Sequence, residues 1–267
     1  MHASRVVAAL GTLALLAAAS WLPARAAEHG VPPGYTPDLA RPELTAPQDL
    51  PAAPVSPVST VSTFFWHLAH GVAALGAPPP QEGPLPSSGL PAAFSRAYTL
   101  LAPNWQAEQP FAAFLRHWGQ LARLEPLAVL AAAPPAGQPS VARVFVEVRT
   151  LSRPREGCRT ACLGFGYGFF TVVSVPGSGW RLSGGGLQAE DLGARGPDPR
   201  RIALNAARSL ASRTPGGQAA SQAQGSVNLT MGPEHQATVR VVLGPQTYRV
   251  ALYQLVDGGW VALRVGT

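Results

Sequence analysis

The feature that most constrains this chain is a change of hydrophobic period close to Leu124. Before it, apolar residues recur at three- and four-residue intervals; after it, they alternate. From Thr60, the residues Val61, Phe64, Phe65, Leu68, Val72 and Leu75 line one stripe of a first helix. A Gly/Pro/Ser loop from Gly76 to Gly89 leads to a second helix carrying Phe94, Ala97, Tyr98 and Leu101. Pro91 suits its first turn, where a missing N–H does no harm, and Pro103 ends it. Asn104 and Trp105 then turn the chain. A third helix opens near Pro110 and turns Phe111, Phe114, Leu115, Trp118 and Leu121 inward.

Residues 140–152 put Ala142, Val144, Val146 and Val148 on a dry face and Arg143, Glu147 and Arg149 on a polar one. The partner strand, Leu163 to Val175, sets Phe165, Tyr167, Phe169, Thr171 and Val173 on one face and Gly164, Gly166 and Gly168 on the other. Three glycines in step allow sharp curvature and close packing, or leave room for a ligand or a helix. Pro176 to Gly179 is a hairpin turn into Trp180, Arg181 and Leu182, and Ser183 to Gly186 reads as a flexible or bulged strand end. The expected architecture is α+β, with three N-terminal helices packed on a curved antiparallel sheet, a cone.

Both ends differ from this middle. Residues 1–26 read as an export signal, with Arg5, an apolar run from Val6 to Leu22, and Ala24-Arg25-Ala26 for cleavage after Ala26. The expected location is secreted or extracytoplasmic; the alternative is an uncleaved N-terminal membrane anchor, the one case in which membrane contact is expected. Residues 27–58 are proline-rich and lack a hydrophobic period, as in an extended tether. Beyond 192, Asp198 caps a helix beginning at Pro199, with Ile202, Ala203, Ala206, Ala207 and Leu210 as its stripe. Short strands then run over 226–231, 237–243, 247–255 and 260–265. The chain therefore divides into 1–26, 27–58, a cone domain at 59–192, and a small basic helix-plus-antiparallel-sheet module at 193–267; the alternative for this last block is an extension of the first sheet.

All twenty basic residues of the 267 are arginine, against fourteen acids. With abundant Ala, Gly and Pro and a single isoleucine, that is the codon bias of a GC-rich, bacterial-type genome, not ligand chemistry. The net charge of the three blocks after the signal is −3, +2 and +5, so the basic excess is C-terminal. Arg200, Arg201 and Arg208 share one side of the helix that starts at Pro199, opposite its stripe. Such a side meets solvent, or an anionic polymer, lipid headgroups or an acidic protein. Nucleic acid is not expected, since exposed aromatics do not interleave with the arginines.

Residues 59–192 resemble the nuclear-transport-factor-2-like superfamily, the cystatin-type α+β cone shared with SnoaL-like polyketide cyclases. The resemblance rests on Phe64-Phe65-Trp66, Ala97-Tyr98 with Leu100-Leu101 and Pro103, Phe111 to Trp118, and Gly179-Trp180-Arg181-Leu182. It implies a cone pocket, for which Tyr98, Trp105, Trp118 and Tyr167 are the lining candidates. Enzymes of the superfamily use Asp/His or Tyr/Asp sets inside the cone; here valines occupy the dry face, and no catalytic residue carries over.

His117 with Glu147 is the best acid/base pair the sequence offers. His67 and His70, three apart on the first helix, lack a carboxylate at a metal-site spacing, so no metal and no cofactor are expected. Cys158 and Cys162, the two cysteines, fit a disulfide in an exported protein. Phosphate-loop, HExxH and Gly-x-Ser-x-Gly patterns do not occur. The leading expectation is an exported, non-enzymatic binding or interaction protein of the cell envelope, its cone taking a small apolar ligand or a partner segment, with an envelope protein or polymer as partner. The alternatives are a SnoaL-like isomerase, cyclase or hydrolase with an acid/base pair inside the cone, and a structural envelope protein with a filled cone.

Overall fold

Helix α1 (Pro57–Gly76) starts where two serines cap each other. The Ser59 N–H donates to Ser56 Oγ at 3.1 Å and the Ser56 N–H to Ser59 Oγ at 2.9 Å, which satisfies amides that a helix start leaves open. The computed structural model describes residues 54–76, 92–134, 138, 140–153, 162–190, 198–214, 217–232 and 235–267. The segment up to residue 53, with the signal and nearly all of the tether, lies outside the described residues, as does Cys158.

Among the described residues, four helices, not three, precede the first sheet. α2 (Ala92–Thr99) is followed by α3 (Pro103–Glu108) and α4 (Phe111–Trp118). Pro103 opens α3 as its first residue, which is why the stretch expected to be a turn is a short helix with Trp105 buried. α4 stops at Trp118, so Leu121 begins β1 (Leu121–Ala132) instead of closing a helix. β2 (Val141–Ser152), β3 (Cys162–Val175) and β4 (Gly179–Ala189) complete an antiparallel sheet in the order β1-β2-β3-β4. The glycine run does not end β4. The register shifts at Ser183, a bulge, and pairing resumes through Gly184 as far as Ala189.

The sheet's hollow face buries Val144, Val146, Val148, Phe170, Val172 and Leu182 against the helices. α1 meets it with Val61, Phe64, Phe65, Leu68 and Val72, all but sealed, each large side chain contributing about 2 kcal/mol of transfer free energy. Two glycines permit close approach. A Cβ on Gly71 would stand 2.7 Å from the Phe94 ring, where α1 crosses α2, and one on Gly168 would stand 1.8 Å from the Gly186 carbonyl, where β3 folds tightly on β4. Close packing, not ligand space, explains Gly168.

The second part repeats the order of helices followed by a four-stranded antiparallel meander. α5 (Pro199–Arg213) is capped by Asp198, whose side chain accepts from the Arg200 N–H. α6 (Gln218–Gln222) follows it, ahead of the second sheet. β5 (Gly225–Met231), β6 (Gln236–Leu243), β7 (Gln246–Gln254) and β8 (Trp260–Gly266) pair in sequence order, and the two sheets share no strand. Ala203, Ala207 and Ala211 of α5 press on Val239, Val241, Tyr248 and Val250 in a core of their own.

A third cluster joins the two parts. Phe145, Tyr167 and Phe169, on the outer face of the first sheet, pack with Tyr253, Leu255 and Leu263 of the second. The Ala133 N–H donates to the Leu263 carbonyl at 2.8 Å across the same seam. The β2 face expected to be polar is thus largely buried, because a partner a hundred residues downstream covers it.

Candidate functional site

The hollow of the first sheet holds rings, not chemistry. Trp118 stands edge-on to Phe64 and Phe65, with centroids 6.3 and 6.1 Å away, and Phe170 lies 5.3 Å from Phe65 and 6.4 Å from Trp105. Of the four pocket candidates, Trp105 and Trp118 are core side chains, 7% and 4% exposed. Tyr98 stacks edge-on against Phe111 and Phe114, and its hydroxyl donates to the Gln106 and Gln109 carbonyls, both at 3.1 Å, tying α2 to α3. Tyr167 points the other way, out of the sheet's far face. There it borders a groove of about 290 Å³ with Arg143, Phe169, Leu187 and Gln188. The four candidates do not converge.

His117 and Glu147 do not meet either. Strand alternation sends Val146 and Val148 toward the helices and Glu147 to the opposite face, so the sheet stands between the two residues. His117 sits on α4 beside Trp118, its ring centroid 5.0 Å from the indole, and burial lowers its pKa. On α1, His70 Nδ1 lies 2.8 Å from the Trp66 carbonyl and its ring tilts over the indole at 3.8 Å. Burial, then Arg96 and His70, lower the His67 pKa. Among the described residues, no group of three His, Cys, Asp or Glu side chains could hold a metal ion. Arg208 is half-buried, reaching the Ala223 carbonyl at 3.3 Å, while Arg200 and Arg201 are exposed.

The ionisable chemistry of the structure lies in the seam between the sheets. Glu147 is 1% exposed and Glu190, just past β4, is 9% exposed. Glu147 Oε2 accepts from the Tyr253 hydroxyl at 2.7 Å and Oε1 from the Val256 N–H at 2.8 Å. Glu190 Oε2 accepts from the Asp257 N–H at 3.3 Å, while its Oε1 is buried and receives no donor. The charge of Glu147 stands close enough to act on the Glu190 carboxyl.

Burial first, then the charges of Glu147 and Asp257, push the Glu190 pKa up from 4.5 to about 8, so at neutral pH it carries its proton. Burial, and then the hydrogen bond to Glu147, raise the Tyr253 pKa well above its usual value, which keeps its hydroxyl a donor. Neither glutamate forms an ion pair among the described residues. The nearby Arg149 is instead engaged by Glu125, which Arg123 also approaches at 3.8 Å.

This arrangement fixes two sheets to each other. It is not laid out for turnover, because Glu147 is sealed and its oxygens are already engaged. Sequence reasoning singled out Glu147 but gave it the wrong neighbour, and it missed Glu190 and Tyr253. One signal was present: Phe145 beside Glu147, opposite Tyr167 and Phe169, makes an aromatic strand face that water would not be expected to cover.

No protein-family profile matches the chain, and no curated protein does. Among solved structures, an "Ntf2 like protein involved in plasmid conjugation" aligns over 78% of this chain and 96% of its own, at 10% identity and a TM-score of 0.25.

Proposed function

We propose that this chain is an exported, non-enzymatic interaction protein of the cell envelope, built on a nuclear-transport-factor-2-like scaffold whose cone is filled by its own side chains. The observation that carries this reading is the content of the hollow: valines, leucines, phenylalanines and tryptophans from β2, β3, β4 and the helices, with Glu147 turned away. Of the three expectations drawn from the sequence, the filled cone accounts best for Trp105 and Trp118 as core residues. A general acid or base must reach a substrate atom, and the sealed pair in the seam does not. Export follows from the signal-like residues 1–26, and the tether at 27–58 gives the body reach from the site of export.

Two readouts on one preparation test this. Full-length protein in spheroplasts is expected to be digested by added protease, whereas a chain beginning at Val55 is expected to stay protected in the cytosol. The purified protein is expected to show no saturable one-to-one binding of a small apolar fluorophore. Saturable binding that quenches Trp105 and Trp118, or turnover of an ester or cyclase substrate lost in His117→Ala, would reject the filled scaffold.

A further inference from the structure

The second sheet covers Phe145 and Glu147 on the outer face of the first sheet but leaves the groove along β3 and β4 open. Across β2, β3 and β4, Arg143, Thr171 and Gly184 share one row of that face, and Phe145, Phe169 and Gly186 the next. The Arg143 guanidinium stands 4.0 Å from the centroid of the Phe169 ring and forms no ion pair among the described residues. Partial desolvation lowers its pKa, a cost that a counter-ion would offset. Gly184 and Gly186 put no side chain between this cation and the margin of the sheet. That margin is the free edge of β4. The Glu190 N–H donates inward to the Phe165 carbonyl at 3.0 Å, so alternation back along the strand turns the N–H and C=O groups of Ala189 and Leu187 outward. Among the described residues no hydrogen bond from outside the sheet reaches either, and Gln188 and Ala189 are exposed. From Gly184 to Ala189 the edge carries neither charge nor proline, two devices that keep an edge strand from pairing.

We propose that β4 takes up an extended peptide segment of a partner protein as a fifth strand, and that an acidic side chain of that segment crosses Gly186 to pair with Arg143. The inference rests on reading the chain as an interaction protein and gives that reading a surface. Main-chain hydrogen bonds at Leu187 and Ala189 supply the grip, and the cation supplies the choice of side chain. The spacing fits. The guanidinium already lies over β3, and an added strand would run two strand spacings, roughly 10 Å, from it. A glutamate side chain spans about half of that, and a charge-assisted hydrogen bond adds about 3 Å. Charge fixes the sign of the partner: among the described residues, Arg143 is the one charged residue that lines the groove, and Glu147 in the row beyond Phe145 is sealed beneath Tyr253. The half-buried rings of Phe169 and Tyr167 give apolar contact to the side chains that flank the acid. A free small acid would use the groove and leave the edge unpaired, whereas a strand engages both.

The test is fluorescence anisotropy of the purified protein with the fluorescein-labelled peptide Thr-Val-Thr-Glu-Thr-Val-Thr, whose valines and glutamate share one strand face. Saturable binding at micromolar peptide is expected. Glutamine in place of the peptide's glutamate, and Arg143→Gln in the protein, should each weaken it at least about tenfold, and the two together no more than either alone. Strand pairing is read without altering the protein: of two peptides N-methylated on alternate residues, one should lose binding at least about tenfold and the other less than about threefold, since only one set of amides faces β4. Ala189→Pro, which removes an outward N–H from an edge that tolerates proline, should weaken binding with an unchanged melting temperature. Butyrate, a carboxylate without a backbone, should not displace the peptide at equal concentration. No saturable binding, full binding to Arg143→Gln, equal effects of the two N-methylated peptides, or displacement by butyrate would overturn the proposal. So would a dimer that Ala189→Pro dissolves, which would give the edge to a second copy of the chain. The filled cone is tested separately by the apolar fluorophore, so the two readings fail independently.

Discussion

Replacing Glu190 by glutamine should remove a specific slope from the dependence of stability on pH. In the folded chain Glu190 holds its proton up to about pH 8, against an ordinary value of 4.5. Between those limits the folded state binds one proton more than the unfolded state, so stability is full below about pH 4.5 and falls as pH rises toward 8. At about 1.4 kcal/mol per pH unit the loss would approach 5 kcal/mol for a fully screened-off group. Glu190 retains 9% exposure at the seam's rim, and solvent screening there brings the expected loss to about 2 kcal/mol. A glutamine amide is neutral at every pH and carries no proton to lose. Glu190→Gln should therefore match the wild type near pH 4.5 and exceed it by about 2 kcal/mol near pH 8.5. The assay is urea unfolding followed by tryptophan fluorescence across that range. His67 and His117, whose lowered pKa values remove stability as pH falls, act with the opposite sign and cancel in the difference between the two proteins. Parallel curves for wild type and variant would refute the raised Glu190 pKa.

Tyr253→Phe deletes the donor to a sealed carboxylate and is expected to cost about 2 kcal/mol in the same urea assay, with little change in circular dichroism. Phe170→Ala empties a site surrounded by Phe64, Phe65 and Trp105, and a loss of about 4 kcal/mol is expected by calorimetry; a loss under about 1 would mean that the hollow is loosely filled. Gly168→Ala drives a methyl group into the Gly186 carbonyl. Purified variant should melt far below wild type or fail to fold, and an unchanged melting temperature would show that β3 and β4 are not as close as described.

The helix stripes were legible in the chain because Val61, Phe64, Phe65, Leu68 and Val72 repeat a local geometry that needs no distant partner. The C-terminal strands were legible for the same reason: Val239, Val241, Tyr248 and Val250 alternate cleanly, and Asp198 announces the helix before them. α3 escaped because one turn and a half of Pro103–Glu108 is too short to show a period. The seam escaped for a different reason. Tyr253 reaches Glu147 across 106 residues of chain, and no local pattern on β2 states what will cover its outer face.

Among the described residues, the buried ionisable chemistry centres on Glu190, whose carboxyl keeps its proton at neutral pH in the seam with Glu147, away from the hollow of the first sheet. A carbon-13 titration of the glutamate side-chain carboxyls in the folded protein measures this directly, with Glu190→Gln supplying the assignment. One resonance moving with a midpoint near pH 8, and missing from the variant, is the predicted result. If every glutamate carboxyl titrates in the ordinary carboxylate range, the seam as described is wrong.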